Sequence, residues 1–284
     1  TSSALLPSSP GAFQVAFGGF CDAYIAKFNN NGGLLFCTYY GGAAAERGTG
    51  VVVNSTGDIY FCGATRSAAM STPGTFPFQA AIGGASDVLI VKFNSTGARV
   101  WASYCGGAGV DESTGIELDV AGDVFVTGFT NSNDMPTLNH GGAAYFQANN
   151  AFAGSEDILI LKFANTGTLL WATYYGGFGY DIGNSICTDP TGNVIIGGQT
   201  RAANFPTLAP AGAGYYQPAI SANFDACILK FNNVGVQQWG TYYGGSNVDG
   251  GASVTTDASG NIFFTGITKS TDFPVLNSGG TSFF

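Results

Sequence analysis

Residues 157–177 read DILILKFANTGTLLWATYYGG, and three residues later residues 181–200 read DIGNSICTDPTGNVIIGGQT. Both stretches recur without a gap. The first returns as DAYIAKFNNNGGLLFCTYYGG (22–42), DVLIVKFNSTGARVWASYCGG (87–107) and DACILKFNNVGVQQWGTYYGG (225–245). The second returns as ERGTGVVVNSTGDIYFCGAT (46–65), DESTGIELDVAGDVFVTGFT (111–130) and DGGASVTTDASGNIFFTGIT (249–268). Four frames follow, 22–65, 87–130, 157–200 and 225–268, joined by connectors 1–21, 66–86, 131–156, 201–224 and 269–284 that absorb all the length variation. Loops permit such variation and packed strands do not.

Each frame reads as four strands. DILILKF is β-branched and apolar, TLLWATYY carries aromatics at strand spacing, NSICTD is short, and NVIIGGQT is β-rich again. Asn-Thr-Gly and Asp-Pro-Thr-Gly-Asn between them place Asn or Asp at the turn start and Gly where positive φ is needed, so both links read as antiparallel hairpins. Tandem four-stranded units of this size point to an all-β fold, a β-propeller of four-stranded antiparallel blades with four repeats in the chain. A solenoid needs shorter, parallel repeats, and a row of sandwiches needs about seven strands per domain.

The pattern Gly-Gly-x3-Asp, Asp-x-x-Gly-Asn, Gly-x-Thr, Phe-Pro and Asp-x4-Lys-Phe is carried here by Gly176-Gly177, Asp181, Asp189, Gly192-Asn193, Gly198, Thr200, Phe205-Pro206, Asp225 and Lys230-Phe231. It resembles the bacterial β-propeller repeat (SBBP) family over essentially the whole chain. The resemblance implies a propeller from a secreted or surface-attached bacterial protein. The first copy departs from it, with Glu46 and Asn54 for Asp and Phe36 for Trp. By analogy with related propellers, NSICTD is innermost, followed outward by NVIIGGQT, DILILKF and TLLWATYY. Residues 22–42 are then an outer half-blade and 249–268 an inner one. Pairing them would close a four-bladed ring; alternatively the chain is a window on a larger propeller, and the half-blades would then offer edges for self-association.

Composition narrows the function. Of 284 residues 10% are charged and 14% aromatic, 44 are Gly, and net charge is −9 with nine Lys and Arg, which leaves nothing to neutralise a row of phosphates. Nucleic acid is not an expected partner. No apolar run approaches the roughly 20 residues of a membrane-spanning helix, and residues 1–20 lack a basic start followed by an apolar stretch, so any export signal is expected outside them. The six cysteines form no CxxC pair and fall at different places in the repeat, as small buried apolar residues do; a single disulfide is the alternative.

The connectors and the Gly-Gly-x3-Asp/Glu links share one face, the candidate binding surface. It carries Phe76, Phe78, Tyr145, Phe146, Tyr215 and Tyr216, with Gln79, Gln147 and Gln217 close behind. These suit a sugar or peptide; they would equally serve by folding back over blade ends. Two acid columns start strands there: Glu46, Asp111, Asp181, Asp249, and Asp22, Asp87, Asp157, Asp225. Capping of turn N–H groups is one role; Ca2+ held by Asp111, Asp181 and Asp249 with backbone carbonyls is the other. Lys27, Lys92, Lys162 and Lys230 are expected to bridge to inner acids such as Asp119, Asp189 and Asp257, and Trp101, Trp171 and Trp239 to pack blade on blade. Glu112, Glu117, Asp134, Glu156 and Asp272 stand outside the columns and read as ordinary exposed acids.

His140 is the sole histidine and lies in a variable connector, so no His-based triad or His-ligated zinc recurs. The expected function is a non-catalytic secreted or cell-surface module that binds glycan or protein, or acts as a scaffold. A polysaccharide lyase or hydrolase using Asp111 or Asp181 and a self-assembling surface or filament subunit are the alternatives.

Overall fold

In each repeat an apolar stretch breaks at a polar turn whose first side chain replaces a missing backbone acceptor. Asp189 Oδ1 accepts the N–H groups of Thr191 at 3.0 Å and Asn193 at 2.9 Å, and Gly192 beside it has φ of +82°. The same device sits at Asn54, Asn94, Asp119, Asn232 and Asp257. Tight hairpins of adjacent strands result. The computed structural model describes residues 1, 8–9, 12–68, 70 and 78–276.

Three sheets are complete four-stranded blades. One is β3 (Glu46–Val53), β4 (Ile59–Thr65), β5 (Asp87–Phe93) and β6 (Arg99–Cys105); the next is β7 (Asp111–Leu118), β8 (Val124–Thr130), β9 (Asp157–Phe163) and β10 (Leu169–Tyr175); the third is β11 (Asp181–Thr188), β12 (Val194–Thr200), β13 (Asp225–Phe231) and β14 (Gln237–Tyr243). Every pairing is antiparallel and follows chain order. Two half-blades flank them, β1 (Ala23–Phe28) with β2 (Leu34–Tyr40), and β15 (Asp249–Thr256) with β16 (Ile262–Thr268). The fold is a β-propeller.

Two expectations change. The half-blades are separate two-stranded sheets with no ladder between them, so 22–42 and 249–268 do not close a four-bladed ring. The innermost strand is eight residues, Asp181–Thr188, and begins at the carboxylate itself. It is longer than the NSICTD read from the sequence, and it starts at Asp181, where the acid column was expected to start a strand. A bulge between Gly183 and Ser185 interrupts its ladder. Opposite the bulge, a Cβ on Gly198 would stand 2.0 Å from Ile182 O, which explains the fixed glycine.

Inner strands of successive blades touch along the axis. Thr188 Oγ1 donates to Leu118 O at 3.1 Å, and Thr256 Oγ1 to Thr188 O at 2.8 Å. Farther out, the indoles of Trp101 and Trp171 donate to Asn165 O (3.0 Å) and Asn233 O (3.4 Å), each in the outer turn of the following blade. Buried Tyr174 and Tyr242 pin the connectors: their hydroxyls accept from Met135 N and Phe205 N and donate to Ser132 O and Ala202 O. All six cysteines are unpaired thiols, five of them buried.

Lysines bridge within blades. Lys230 reaches Asp189 at 2.8 Å, Lys92 reaches Asp58 at 3.1 Å, and Lys162 reaches Asp119 at 3.0 Å and Asp123 at 3.4 Å. Lys27 is the correction: it donates to Ser95 O at 3.2 Å, and among the described residues neither it nor Asp257 forms an ion pair, since their half-blades share no ladder. Burial alone would raise Asp189, but Lys230, Asn193 and Thr191 outweigh it and hold the carboxyl well below its usual range.

Asp119 has a side chain with no exposed surface and serves Lys162, Asn233 and its own turn. Asp119→Ala should cost about 3 kcal/mol in urea unfolding, since it takes the nearer and fully buried acid from the Lys162 ammonium and leaves only Asp123 at 3.4 Å, and it also removes the acceptor of Asn233 and of its own turn. A loss under about 1 kcal/mol would contradict the bridge's role.

Candidate functional site

The two acid columns converge in pairs, one pair at each junction between consecutive blades. In the best-formed junction Asp157 opens β9 and Asp181 opens β11 of the next blade, with the Gly176-Gly177 link running between them. Gln147 Nε2 donates to Asp157 Oδ2 at 2.7 Å, Ala151 N donates to the same oxygen at 2.9 Å, and Gly176 N donates to Gln147 Oε1 at 3.2 Å. Gly177 N reaches Asp181 Oδ2 at 2.7 Å, and the Thr200 hydroxyl bonds Asp181 Oδ1. A Cβ on Gly176 would lie 2.9 Å from Asp157 Oδ1 and 2.7 Å from Asp181 Oδ2, so only glycine lets both carboxyls close on the link.

The arrangement repeats. Gln79 Nε2 bonds Asp87 at 2.8 Å while Gly107 N bonds Asp111 Oδ2 at 2.8 Å. Gln217 Nε2 bonds Asp225 at 2.8 Å and Gly245 N bonds Asp249 at 2.7 Å. At the first junction Gln14 Nε2 bonds Asp22 at 3.0 Å and Gly42 N bonds Glu46 at 2.7 Å, so Glu46 substitutes for Asp with the same bond. Gln14 escaped the sequence reading. Its signal was present, for Phe13-Gln14 stands as far before Asp22 as Phe78-Gln79 before Asp87.

All eight acids are buried, and no lysine or arginine forms an ion pair with any of them among the described residues. Asp22, Asp111, Asp157, Asp225 and Asp249 each keep an Oδ1 without a hydrogen-bond partner. Desolvation pushes Asp157 up to about 7 and Asp87 and Asp181 up to about 6; the acid across the junction adds to the rise at Asp87 and Asp157. Asp111 and Asp225 are raised too, first by burial. Acids gather here in twos. Among the described residues no group of three His, Cys, Asp or Glu is placed to hold a metal. For calcium at Asp111, Asp181 and Asp249, the three stand at separate junctions, each with one acid partner, and any further ligands would be backbone oxygens.

The connector residues divide by what they touch. Gln79, Gln147 and Gln217 belong to the junctions. Phe78 is half-buried, edge-on to Phe163 at 5.9 Å, and Tyr145 lies 4.7 Å from Tyr175 with its hydroxyl 3.0 Å from Gln147 Oε1. Tyr216 is half-buried and bonds Thr207 at 3.1 Å. Phe146 and Tyr215 keep exposed rings, 37% and 49%, although Tyr215 also leans on Tyr243 at 5.2 Å. Phe76 lies outside the described residues. Asp134 and Asp272, read as ordinary acids, accept Ala108 N and Ser246 N, each at 2.8 Å, and Glu112 pairs with Arg47 at 2.6 Å.

A second aromatic set on this face was not singled out from the sequence. Phe152 of a connector and Phe178 and Tyr180 of the following link are exposed (60%, 68% and 43%) and, with Arg201, line an open pocket of about 390 Å3. The Phe152 and Phe178 rings lie 6.3 Å apart at 60°. Phe178 and Tyr180 sit inside the otherwise fixed Gly-Gly-x3-Asp link, where the other copies have Ala43 and Ala45, Ala108 and Val110, Ser246 and Val248. That departure was the available signal.

No family model matches the chain. Over 199 residues, 65% of this chain, it is 26% identical to the "uncharacterized WD repeat-containing protein L264" of Acanthamoeba polyphaga mimivirus, and the match spans 14% of that protein's length. The likeness agrees with a β-propeller repeat protein. Among the described residues no helix is long and apolar enough to cross a membrane.

The raised carboxyls set a pH dependence. An acid near 7 in the fold and about 3.9 unfolded holds its proton in the fold across roughly pH 4 to 7, and the stability this lends is lost as pH rises through that window. The lowered acids, Asp119 and Asp189, act in the opposite sense below about pH 4. The urea midpoint should therefore fall between pH 4.5 and 7.5, and Asp157→Asn should flatten the slope. A midpoint that rises across the window would contradict the assignment.

Proposed function

We propose that the chain is a non-catalytic propeller module that docks a protein segment or glycan on its connector face, in a secreted or surface-attached protein of the bacterial β-propeller repeat family. The observation that carries the reading is the pocket of Phe152, Phe178, Tyr180 and Arg201, where exposed rings meet a guanidinium on the loop-bearing face of a rigid scaffold. Exposed aromatics and arginine are the residue types that dominate binding energy at protein interfaces, and ring faces also stack on sugars. The fixed acids support the non-catalytic part. Asp111 and Asp181 are fully buried; Asp181 accepts Gly177 N and the Thr200 hydroxyl, and Asp111 Oδ2 accepts Gly107 N and the Ser132 hydroxyl, which suits a joint and holds both carboxyls away from a substrate at the surface. The repeat motif itself supports the family and, through it, export.

Peptide and glycan arrays probed with the chain and with Phe178→Ser/Tyr180→Ser test the reading. Binding should weaken at least about tenfold in the variant, the loss expected for removing two anchor side chains, while the melting temperature stays unchanged because both rings are exposed. Hits confined to one array name the ligand class. No hit on either, or hits indifferent to the variant, would reject the pocket.

A further inference from the structure

The nine lysines and arginines of the chain are unevenly placed. Four are the strand lysines Lys27, Lys92, Lys162 and Lys230, and of the other five, Arg66, Arg201 and Lys269 share one repeat position, directly after the Gly-x-Thr that closes the second strand; Asn131 holds it in the remaining copy. The backbone fixes this position on the connector face. The N–H groups of Arg66, Asn131, Arg201 and Lys269 donate at 2.9 to 3.0 Å to the carbonyls of Ala45, Val110, Tyr180 and Val248, each the last residue before the acid that opens an inner strand. Arg66, Arg201 and Lys269 are exposed there.

Arg201 lies between two hollows. It lines the aromatic one with Phe152, Phe178 and Tyr180, and its guanidinium packs 5.8 Å from the centroid of the Phe224 ring. Asn223, next to Phe224, lines the other, an open pocket of about 440 Å3, with Ser221, Ser246 and Asn247. The hollows are repeat-related, since residues 220–223 and 246–248 are the counterparts of 152–155 and 178–180. One presents rings, the next amides and hydroxyls. No acid forms an ion pair with Arg201 among the described residues. Glu156 follows Ser155 on the connector lip, so the aromatic hollow has an acid beside one lip and the arginine at the other. The N–H groups of Phe178, Gly179, Ser246, Asn247 and Val248 are bonded internally, which leaves these link residues no main-chain donor for pairing with a peptide strand and assigns recognition to side chains.

We propose, resting on the connector-face reading above, that the ligand is an acidic polysaccharide, a chain of sugars bearing carboxylates, laid across both hollows. One sugar ring stacks on Phe178 and Tyr180, a carboxylate seats on the Arg201 guanidinium between the hollows, and hydroxyls of the next sugar meet Asn223 and Asn247. Charge complementarity selects this occupant. A guanidinium matches a carboxylate with two parallel hydrogen bonds, and Arg66 and Lys269 put a cation at the same place on other blades, so a polymer of repeating charge meets repeating cations along the face. The net charge of −9 opposes such a polymer at long range, which makes the attraction local to these cations and sensitive to salt.

Calorimetric titration of the full chain with oligomers of polygalacturonate, alginate and hyaluronate, with their carboxyl-reduced neutral forms and with poly-glutamate tests this. At least one uronate oligomer should bind, its neutral form at least about tenfold more weakly, the loss expected for one hydrogen-bonded charge. Arg201→Ala and Asn223→Asp should each weaken the acidic form about tenfold and leave the neutral form unchanged. Both side chains are exposed, and circular dichroism checks that the variants fold. No binding by any of the three uronate oligomers, equal binding of a neutral form or of poly-glutamate, or indifference to Arg201→Ala would overturn the proposal. Neutral-sugar or peptide binding that still requires Phe178 and Tyr180 would overturn the acidic polysaccharide alone and leave the connector-face reading standing.

Discussion

Every junction between blades turns on a carboxyl that accepts backbone N–H groups it does not share a strand with. Asp181 holds the link N–H of Gly177, and Asp157, through Gln147, holds that of Gly176. Unpaired buried amides are costly, and a two-glycine link has no side chains with which to satisfy them. The acids supply the missing acceptors and draw the start of one blade onto the end of the previous one. Because the constraint acts on the link and on the Gln, the rest of each connector is at liberty to vary. Gln147 stands ten residues before Asp157 where Gln79 stands eight before Asp87, and the junction bonds are the same.

That solution places two acids at one buried spot. Desolvation first and Coulomb repulsion after it oppose a second charge there, and both raise the carboxyls of Asp157 and Asp87, with no lysine paired to either among the described residues. The lysines are used elsewhere, at the opposite ends of the strands, where Asp119 and Asp189 are shared between a turn and a strand. One end of each complete blade is thus locked by ion pairs and the other by buried carboxyls that accept link N–H groups, while inner strands and indoles tie blade to blade between them.

Much of this was legible in the sequence because it is periodic. The ungapped frames marked the strands, and Asp-x-x-Gly-Asn marked the turn whose Oδ1 bonds recur at Asp189 and Asp257. The pairing of Asp157 with Asp181 was present as a constant separation of 24 residues. What hid it is that the residues open strands in different blades, so their meeting depends on blade packing rather than on local pattern. Gln147 and Gln217 were read beside their aromatic neighbours as ligand chemistry, since a sequence does not say that the amide turns inward while Tyr215 stays out. Phe178 and Tyr180 were overlooked for the converse reason: a fixed frame draws the eye to what repeats, and these two are where it fails. The fates of Lys27 and Asp257 follow from which strands have partners, which the frame alone leaves open.

The central claim, that buried carboxyl pairs join the blades, is tested most directly by carboxyl-carbon NMR titration of aspartate-labelled protein, with Asp157→Asn and Asp181→Asn for assignment. The account predicts a subset of aspartates titrating near 6 to 7, Asp157 highest, alongside others well below 4. Titration of every aspartate at or below about 4, the ordinary solvated value, would contradict it.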